Sequence, residues 1–349
     1  MPRTFSRPPL RRAGQVAVTA AFLGFLGWSL AGRWSEVREV ADDLSGPVVA
    51  LAGVAAAVAG GCGFLAWRAV LADLGAVPPV TGALRIFYVG QLAKYLPGKV
   101  WPIVVQARLG RAYRVPGRAS AAAAMLVMLV TLGTGLLLTA LLLPVLGGGA
   151  LDRFWWTLLA LPPAALVLWP PLANRVITRL LRLARREPLP RPLTARGIVR
   201  AAGWSVATWL AYGVHLWLLL RDVGAGGGTE LLLRSVGAFA GSWSVGFLLA
   251  VAPAGLGPRE VALPLLLGAT VGQPAALVAA VVSRLLMTIV DLAAPAVAVA
   301  AERFRRGASA RPGALPTGTP PPSVPAPSVP ASGPSSSAPS SVESATRQP

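Results

Sequence analysis

Hydrophobic residues come in long blocks that are separated by short polar connections. Each block is close to the ~20 residues that an α-helix needs to cross the hydrocarbon core of a bilayer. No strand-like alternation of apolar and polar positions competes with these blocks. The pattern therefore predicts an all-α, polytopic bundle of membrane helices. The predicted spans cover residues 13–31, 47–67, 120–143, 154–171, 198–220, 231–251 and 275–301.

Two further apolar segments are interrupted by proline and glycine and do not fit simple spans. Residues 84–105 carry three basic side chains and are broken at Pro97-Gly98 and again at Pro102. Both flanks of this segment are basic, so we expect it to enter the membrane and return on the same side as a re-entrant or interfacial pair of half-helices. Residues 253–272 leave only about a dozen apolar residues for a helix, which is short for a crossing. Counted as one, they bring the total to about eight transmembrane helices.

The composition agrees with a membrane protein and argues against an ordinary water-soluble enzyme. Hydrophobic residues make up 54% of the 349 residues and charged residues 13%, whereas roughly a quarter of an average soluble domain is charged. The single cysteine, Cys62, cannot form an intrachain disulfide, and there is one histidine, His215. A metal site built from Cys and His is therefore not expected, and neither is a cofactor.

The net charge is +19, and most of the charged residues lie between the hydrophobic blocks. In a soluble chain it would suggest nucleic acid as a partner, but here it indicates orientation in a membrane. Residues 68–118 and 175–200 each hold eight basic residues and one acid. By the positive-inside rule these connections and the N-terminus are cytoplasmic. Arginines at 303–306 place the C-terminus there too, which requires an even number of crossings; the expected location is the cell membrane.

These boundaries divide the chain into three regions. Residues 1–12 form a basic cytoplasmic N-terminus and residues 13–306 the membrane domain. Residues 307–349 hold 11 Pro and 10 Ser, a composition that cannot bury enough apolar surface to fold, so this tail is predicted to be disordered. Residues 13–31 are predicted to be a retained first helix, with a cleaved signal peptide as the alternative.

The two broken segments are the first candidates for a functional site. Non-helical backbone at membrane depth is tolerated only inside protein or along a wet cavity, and a pair of such breaks in two halves of a chain indicates a transporter's substrate site. Half-helix N-termini attract anions, and Lys94, Lys99 and Arg259 add positive charge, which would suit a phosphate-bearing lipid headgroup. Alternatively, the lysines snorkel to the cytoplasmic headgroups and Arg259-Glu260 merely begins a helix.

Charged residues inside the last apolar block are the strongest intramembrane signal. Arg284 and Asp291 lie seven residues apart and so share one helix face. A charge at the centre of a membrane helix costs about 2.5 to 3.5 kcal/mol, so such residues face the bundle interior. Glu260 is the expected partner of Arg284, and a purely structural ion pair is the alternative. His215 with Tyr212 suggests either a proton relay or, as we favour, a packed histidine.

The candidate substrate-binding residues thus lie in the two broken segments and the last helix. They are Gln91, Lys94, Tyr95, Pro97, Gly98, Lys99, Trp101, Gly255, Gly257, Arg259, Glu260, Arg284 and Asp291. In addition, residues 175–186 interleave arginines with aliphatic side chains, which predicts a short amphipathic helix resting on anionic lipid.

Two motifs resemble those of a known family, the lysylphosphatidylglycerol synthase transmembrane region, also called flippase-like or YbhN-like. They are GQLAKYLPGKVWP at 90–102 and APAGLGPRE at 252–260, followed by Arg284. Ala254 stands where the second motif usually has glycine. The resemblance covers approximately residues 13–305 and implies about eight helices. For the best-known relatives it implies translocation of an aminoacylated phospholipid between leaflets, whereas other relatives accompany glycosyltransferases and polyprenyl-linked glycans.

These observations predict a transporter-like integral membrane protein rather than an enzyme, because the soluble aminoacyl-transferring domain of the full synthase is not found. The predicted substrate is a phosphate-headed membrane lipid, either an aminoacyl-phospholipid or a polyprenyl-linked glycan. One alternative is a non-transporting subunit that presents lipid to a partner glycosyltransferase or lipid synthase. Another is an intramembrane transferase that uses Glu260 or Asp291 as a base.

Overall fold

A computed structural model describes the central part of the chain. The described residues are 38–309 without 40–41, 97–99, 148, 150–151, 153–154, 161, 163–164, 167–168, 184–186, 190 and 250–256. The predicted N-terminal region and first helix lie outside them, as do almost all of the predicted tail and about a third of the predicted span at 154–171.

The described residues form α-helices and short 3₁₀ segments and contain no strand, which confirms the all-α prediction. The helices are α1 (Gly46–Asp73), α2 (Val80–Leu92), α3 (Trp101–Gly110), α4 (Gly117–Leu142), α5 (Pro170–Leu183), α6 (Ala195–Asp222), α7 (Thr229–Leu248), α8 (Pro258–Val271) and α9 (Gln273–Ser309). The 3₁₀ segments are Ala93–Tyr95, Arg111–Tyr113, Leu143–Leu146 and Trp155–Ala160.

Helix length separates possible spans from half-helices. By length and apolar composition, α1, α4 with its 3₁₀ extension, α7 and α9 can each cross a membrane. With 28 residues, α6 is about 42 Å long and is long enough as well. In contrast, α2 and α3, at about 20 and 15 Å, are too short to cross. The total of about eight crossings stays a prediction, because parts of the chain are not described.

α1 and α6 are antiparallel and are joined at both ends. Asp73, the last residue of α1, accepts hydrogen bonds from the backbone N–H and the hydroxyl of Thr194, the N-cap of α6, both at 2.7 Å. Asp222, the last residue of α6, accepts bonds from the N–H and hydroxyl of Ser45, the N-cap of α1, at 2.7 and 3.0 Å. Each carboxylate thereby satisfies donors at the positive end of the neighbouring helix.

Helices from the two halves of the described chain pack antiparallel against one another. Each half runs from a long helix through two shorter ones to a second long helix, α1 to α4 and then α6 to α9. The segment containing α2 is antiparallel to α9, because Arg85 pairs with Glu302 and Lys94 with Asp291. Likewise α4 is antiparallel to α7, because Gly135 lies against Ser244 and Gly237 against Leu142. In transporters with inverted repeats, the substrate site lies between the repeats.

α2 and α3 pack against each other as a tight antiparallel hairpin. A Cβ on Gly90 of α2 would lie 2.3 Å from Cγ of Gln106 on α3, and one on Gly82 would lie 2.4 Å from the Tyr113 ring. Glycine allows the chain to approach itself this closely. The predicted pair of half-helices in residues 84–105 is therefore present, and its re-entrant or interfacial position in the membrane stays a prediction.

Candidate functional site

One face of α9 carries three charged residues at different depths along the helix. Arg284, Asp291 and Glu302 are separated by seven and eleven residues, close to two and three helical turns. Each of them pairs with a residue from another element. Within the described residues, this face of α9 therefore takes part in three ion pairs.

Asp291 joins α9 to the tip of the α2–α3 hairpin. Its Oδ2 atom lies 2.6 Å from Nζ of Lys94 and accepts a 2.8 Å hydrogen bond from the hydroxyl of Tyr95. Lys94 and Tyr95 are in the 3₁₀ turn that ends α2, where the chain becomes extended at Leu96. Lys94 therefore points to a carboxylate within the protein, at 32% side-chain exposure, rather than only toward headgroups.

The start of α8 brings a second carboxylate to α9. Gly257, the N-cap, has φ +108°, a backbone conformation that favours glycine. Its N–H donates to Oε2 of Glu260 at 2.8 Å, so the acid caps its own helix near the positive end of the helix dipole. The other oxygen of Glu260 lies 3.5 Å from Nε of Arg284. The expected pairing of Glu260 with Arg284 is therefore present.

Arg259 is buried without an acidic partner of its own. Its side chain is 8% exposed, one guanidinium N–H donates to Sδ of Met287 at 3.1 Å, and Cζ lies 4.4 Å from the centre of the Phe239 ring. Among the described residues no carboxylate forms a salt bridge with it. A thioether is a weak hydrogen-bond acceptor. An anion would be a stronger acceptor for the Arg259 guanidinium and could replace it.

These groups form one electrostatic unit. Lys94 interacts electrostatically with Asp291, Arg284 and Arg259, and Arg259 interacts with Glu260, Arg284 and Asp291. The unit holds three cations and two carboxylates, a formal excess of one positive charge. A monoanionic phosphodiester would neutralise it.

A small cavity lies between α8 and α9 beside this excess charge. It is lined by Arg259, Glu260, Leu263, Ala280, Ser283 and Arg284. The volume of this cavity is about that of a single water molecule. The described arrangement is therefore closed.

The remaining candidate residues are placed less centrally. Gln91 and Trp101 are half-buried on the two arms of the hairpin. Pro97, Gly98, Lys99 and Gly255 lie outside the described residues, so their roles stay predictions.

His215 bridges α1 and α9 rather than contacting Tyr212. Its Nδ1 lies 2.8 Å from the carbonyl oxygen of Ala52, and its Nε2 lies 2.8 Å from Oγ of Ser283. Because a carbonyl can only accept, Nδ1 carries the proton in the neutral ring. Tyr212 stacks on Phe239 instead, with 4.5 Å between ring centres. Both contacts agree with a packed histidine.

Sequence reasoning missed a further polar cluster near the C-terminal end of α9. Glu302 accepts hydrogen bonds from Arg85 of α2 at 3.0 Å and from the hydroxyl of Tyr113 at 2.6 Å. Partial burial raises the pKa of Tyr113, and the bond to Glu302 adds to this effect. The three-turn spacing of Glu302 from Asp291 was the signal that could have revealed it.

The predicted basic amphipathic helix is present as part of α5. Ala173 and Ile177 are buried against the bundle, while Arg175 and Arg179 are exposed. Asn174 anchors the helix by two hydrogen bonds to the backbone of Leu193, at 2.8 and 2.9 Å. The exposed arginines leave a cationic surface, and its contact with lipid stays a prediction.

Comparison with known proteins adds one finding. The family model described as "Lysylphosphatidylglycerol synthase TM region" matches residues 13–294. A search of curated proteins found no match.

Proposed function

The chain belongs to the family of the lysylphosphatidylglycerol synthase TM region, and from this premise we propose that it moves a phosphate-headed membrane lipid between the leaflets of the bilayer. It acts as a transporter rather than as an enzyme. The lipid phosphate binds in the polar unit of Arg259, Glu260, Arg284, Lys94 and Asp291, while the acyl or prenyl chains stay in the hydrocarbon.

The observation that carries this proposal is the surplus buried cation, Arg259. An unpaired guanidinium inside a membrane protein is unfavourable, and intramembrane charges of this kind usually mark a substrate path. A phosphate oxygen is a far better acceptor than the Met287 thioether, and arginine binds phosphate with two parallel hydrogen bonds. The N-terminus of α8, where Arg259 lies, adds a favourable dipole for an anion.

Entry of the headgroup requires opening of the closed arrangement. The Lys94–Asp291 contact ties the hairpin tip to α9, and the Arg85–Glu302 contact ties the same hairpin to α9 further along. We infer that separation of the hairpin from α9 admits the headgroup and that the two halves of the chain alternate in opening, as in transporters with inverted repeats.

We further propose that the protein lies in the cell membrane with the hairpin and α5 on the cytoplasmic side, as its basic connections indicate. In a Cys62→Ala background, Leu183→Cys is expected to react with a membrane-impermeant maleimide only after permeabilisation. Gly227→Cys is expected to react in intact cells. The reverse labelling pattern would contradict this orientation.

The direct test is transfer in liposomes. Purified protein is reconstituted with a trace of fluorescent phosphatidylglycerol, and dithionite quenches the label in the outer leaflet. We expect quenching beyond the half that empty liposomes show, because inner-leaflet lipid becomes accessible. Fluorescent lysyl-phosphatidylglycerol and a polyprenyl-phosphate probe test the two predicted substrate classes in the same way.

The outcomes separate the alternatives. No transfer of phosphatidylglycerol, its lysyl ester or the polyprenyl phosphate above empty liposomes would contradict the proposed transport. Specific binding without transfer would instead indicate a subunit that presents lipid to a separate glycosyltransferase or synthase.

A further inference from the structure

We propose that the site selects headgroups of net negative charge, because Lys94 occupies, as a built-in ammonium, the position that a positively charged headgroup would need. This inference rests on the proposed lipid transport and names its substrate class. It predicts that an anionic phospholipid is moved in preference to its aminoacylated form.

In the closed arrangement the carboxylate of Asp291 already binds two groups of the protein. One carboxylate oxygen receives both the Lys94 ammonium at 2.6 Å and the Tyr95 hydroxyl at 2.8 Å. The side chain of Asp291 is only 21% exposed. A headgroup ammonium would have to displace Lys94, which would leave a lysine charge beside Arg259 and Arg284 without its acid.

The other acids of the helical core are also engaged. Glu260 faces Arg284 and caps α8, and Glu302 binds Arg85 and Tyr113. Asp73 and Asp222 cap the neighbouring helices. Of the chain's 13 acids, only two, at positions 36 and 343, lie outside the described residues.

The charge balance therefore fits an anion that brings no cation with it. The excess positive charge belongs to Arg259, which a phosphodiester neutralises. An aminoacyl ester of the same lipid adds at least one ammonium, whereas Glu260, Asp291 and Glu302 each already face a cation of the protein. Discrimination then arises because the wrong headgroup leaves a buried charge without a partner.

The inference leads to a gain-of-function variant. Lys94→Met removes the built-in ammonium and leaves Asp291 with the Tyr95 hydroxyl, so the site gains an acceptor for a headgroup cation. Lys94→Arg is the matched control, since it keeps the cation and should keep the selectivity.

The experiment compares fluorescent phosphatidylglycerol with fluorescent lysyl-phosphatidylglycerol in the liposome assay. For the wild-type protein we expect the anionic lipid to move faster by a factor of about ten or more. For Lys94→Met we expect faster transfer of the lysyl lipid and a ratio near one or inverted. A wild-type protein that moves the lysyl lipid as fast as the anionic one would overturn the inference and leave lipid transport standing.

A binding measurement keeps the test decisive if Lys94→Met does not fold. Short-chain phosphatidylglycerol should raise the melting temperature of the wild-type protein in detergent, and its lysyl ester should not. Equal stabilisation by both lipids would overturn the inference. No transfer and no binding of either lipid would overturn the proposed function together with it.

Discussion

Replacing Arg259 by methionine is expected to lower transfer of phosphate-headed lipid roughly thirtyfold or more, because loss of a buried charged contact costs about 2 to 5 kcal/mol. The same change is expected to leave the protein equally or more stable. Arg259 is buried with a thioether and an aromatic ring as neighbours, so a neutral side chain of similar length relieves desolvation without breaking a described salt bridge.

The opposite signs of the two effects identify a binding residue. A residue that served only packing would lose stability first and activity as a consequence. Arg259→Lys is the control, because it keeps the charge and loses the planar pair of donors; we expect intermediate transfer. The measurements are the liposome assay and thermal unfolding in detergent. Normal transfer by Arg259→Met, or a large fall in its melting temperature, would contradict the role assigned to Arg259.

Glu260 and Arg284 are expected to respond differently as single and as double variants. Glu260→Gln or Arg284→Met alone breaks the buried contact between the two side chains, and breaking a buried ion pair by removing one member typically costs about 3 to 5 kcal/mol. The amide oxygen that Glu260→Gln introduces can still accept the bond from Gly257, so this change tests the charge rather than the cap. Combining both substitutions removes both charges and should recover much of the stability.

Lipid transfer should be lost in the single variants and should remain absent in the double variant, even where its stability returns. The arginine that helps to bind phosphate is then absent, and a neutral pair cannot replace it. Thermal unfolding and the liposome assay on all three variants complete a double-mutant cycle. Recovery of transfer along with stability would show that the pair serves only structure.

An exposed ion pair provides the control for that cycle. Arg118 and Glu187 form a salt bridge, but the Glu187 side chain is 76% exposed. Exposed pairs contribute about 0 to 1 kcal/mol. The double variant Arg118→Met, Glu187→Gln should therefore match the wild-type protein in both stability and transfer.

Helical class and the two interrupted segments could be predicted because both depend on local sequence. The length of each apolar block matches the thickness of the hydrocarbon core. Pro and Gly interrupt helices through their own backbone geometry. The shared face of Arg284 and Asp291 follows from helical periodicity alone. The pairing of Glu260 with Arg284 was predicted from charge alone, since both lie in segments expected at membrane depth.

Other contacts at the site could not be predicted, because they join residues that are distant in the chain. Tyr95 and Asp291 are 196 residues apart. From the sequence, Lys94 could equally extend to the cytoplasmic headgroups or point into the helix bundle. The hairpin packing, with Gly90 against Gln106, decides that the tip reaches α9. The burial of Arg259 against Met287 and Phe239 likewise depends on how α7, α8 and α9 meet.

By itself, then, the sequence determined a helical membrane protein with two broken segments and charges at depth, since hydrophobicity, helical period and backbone breaks act over a few residues. Only the tertiary structure decided which acid neutralises which cation and which cation is left over. That choice depends on distances between separate helices, and at low dielectric a difference of a few ångströms decides which charges are paired.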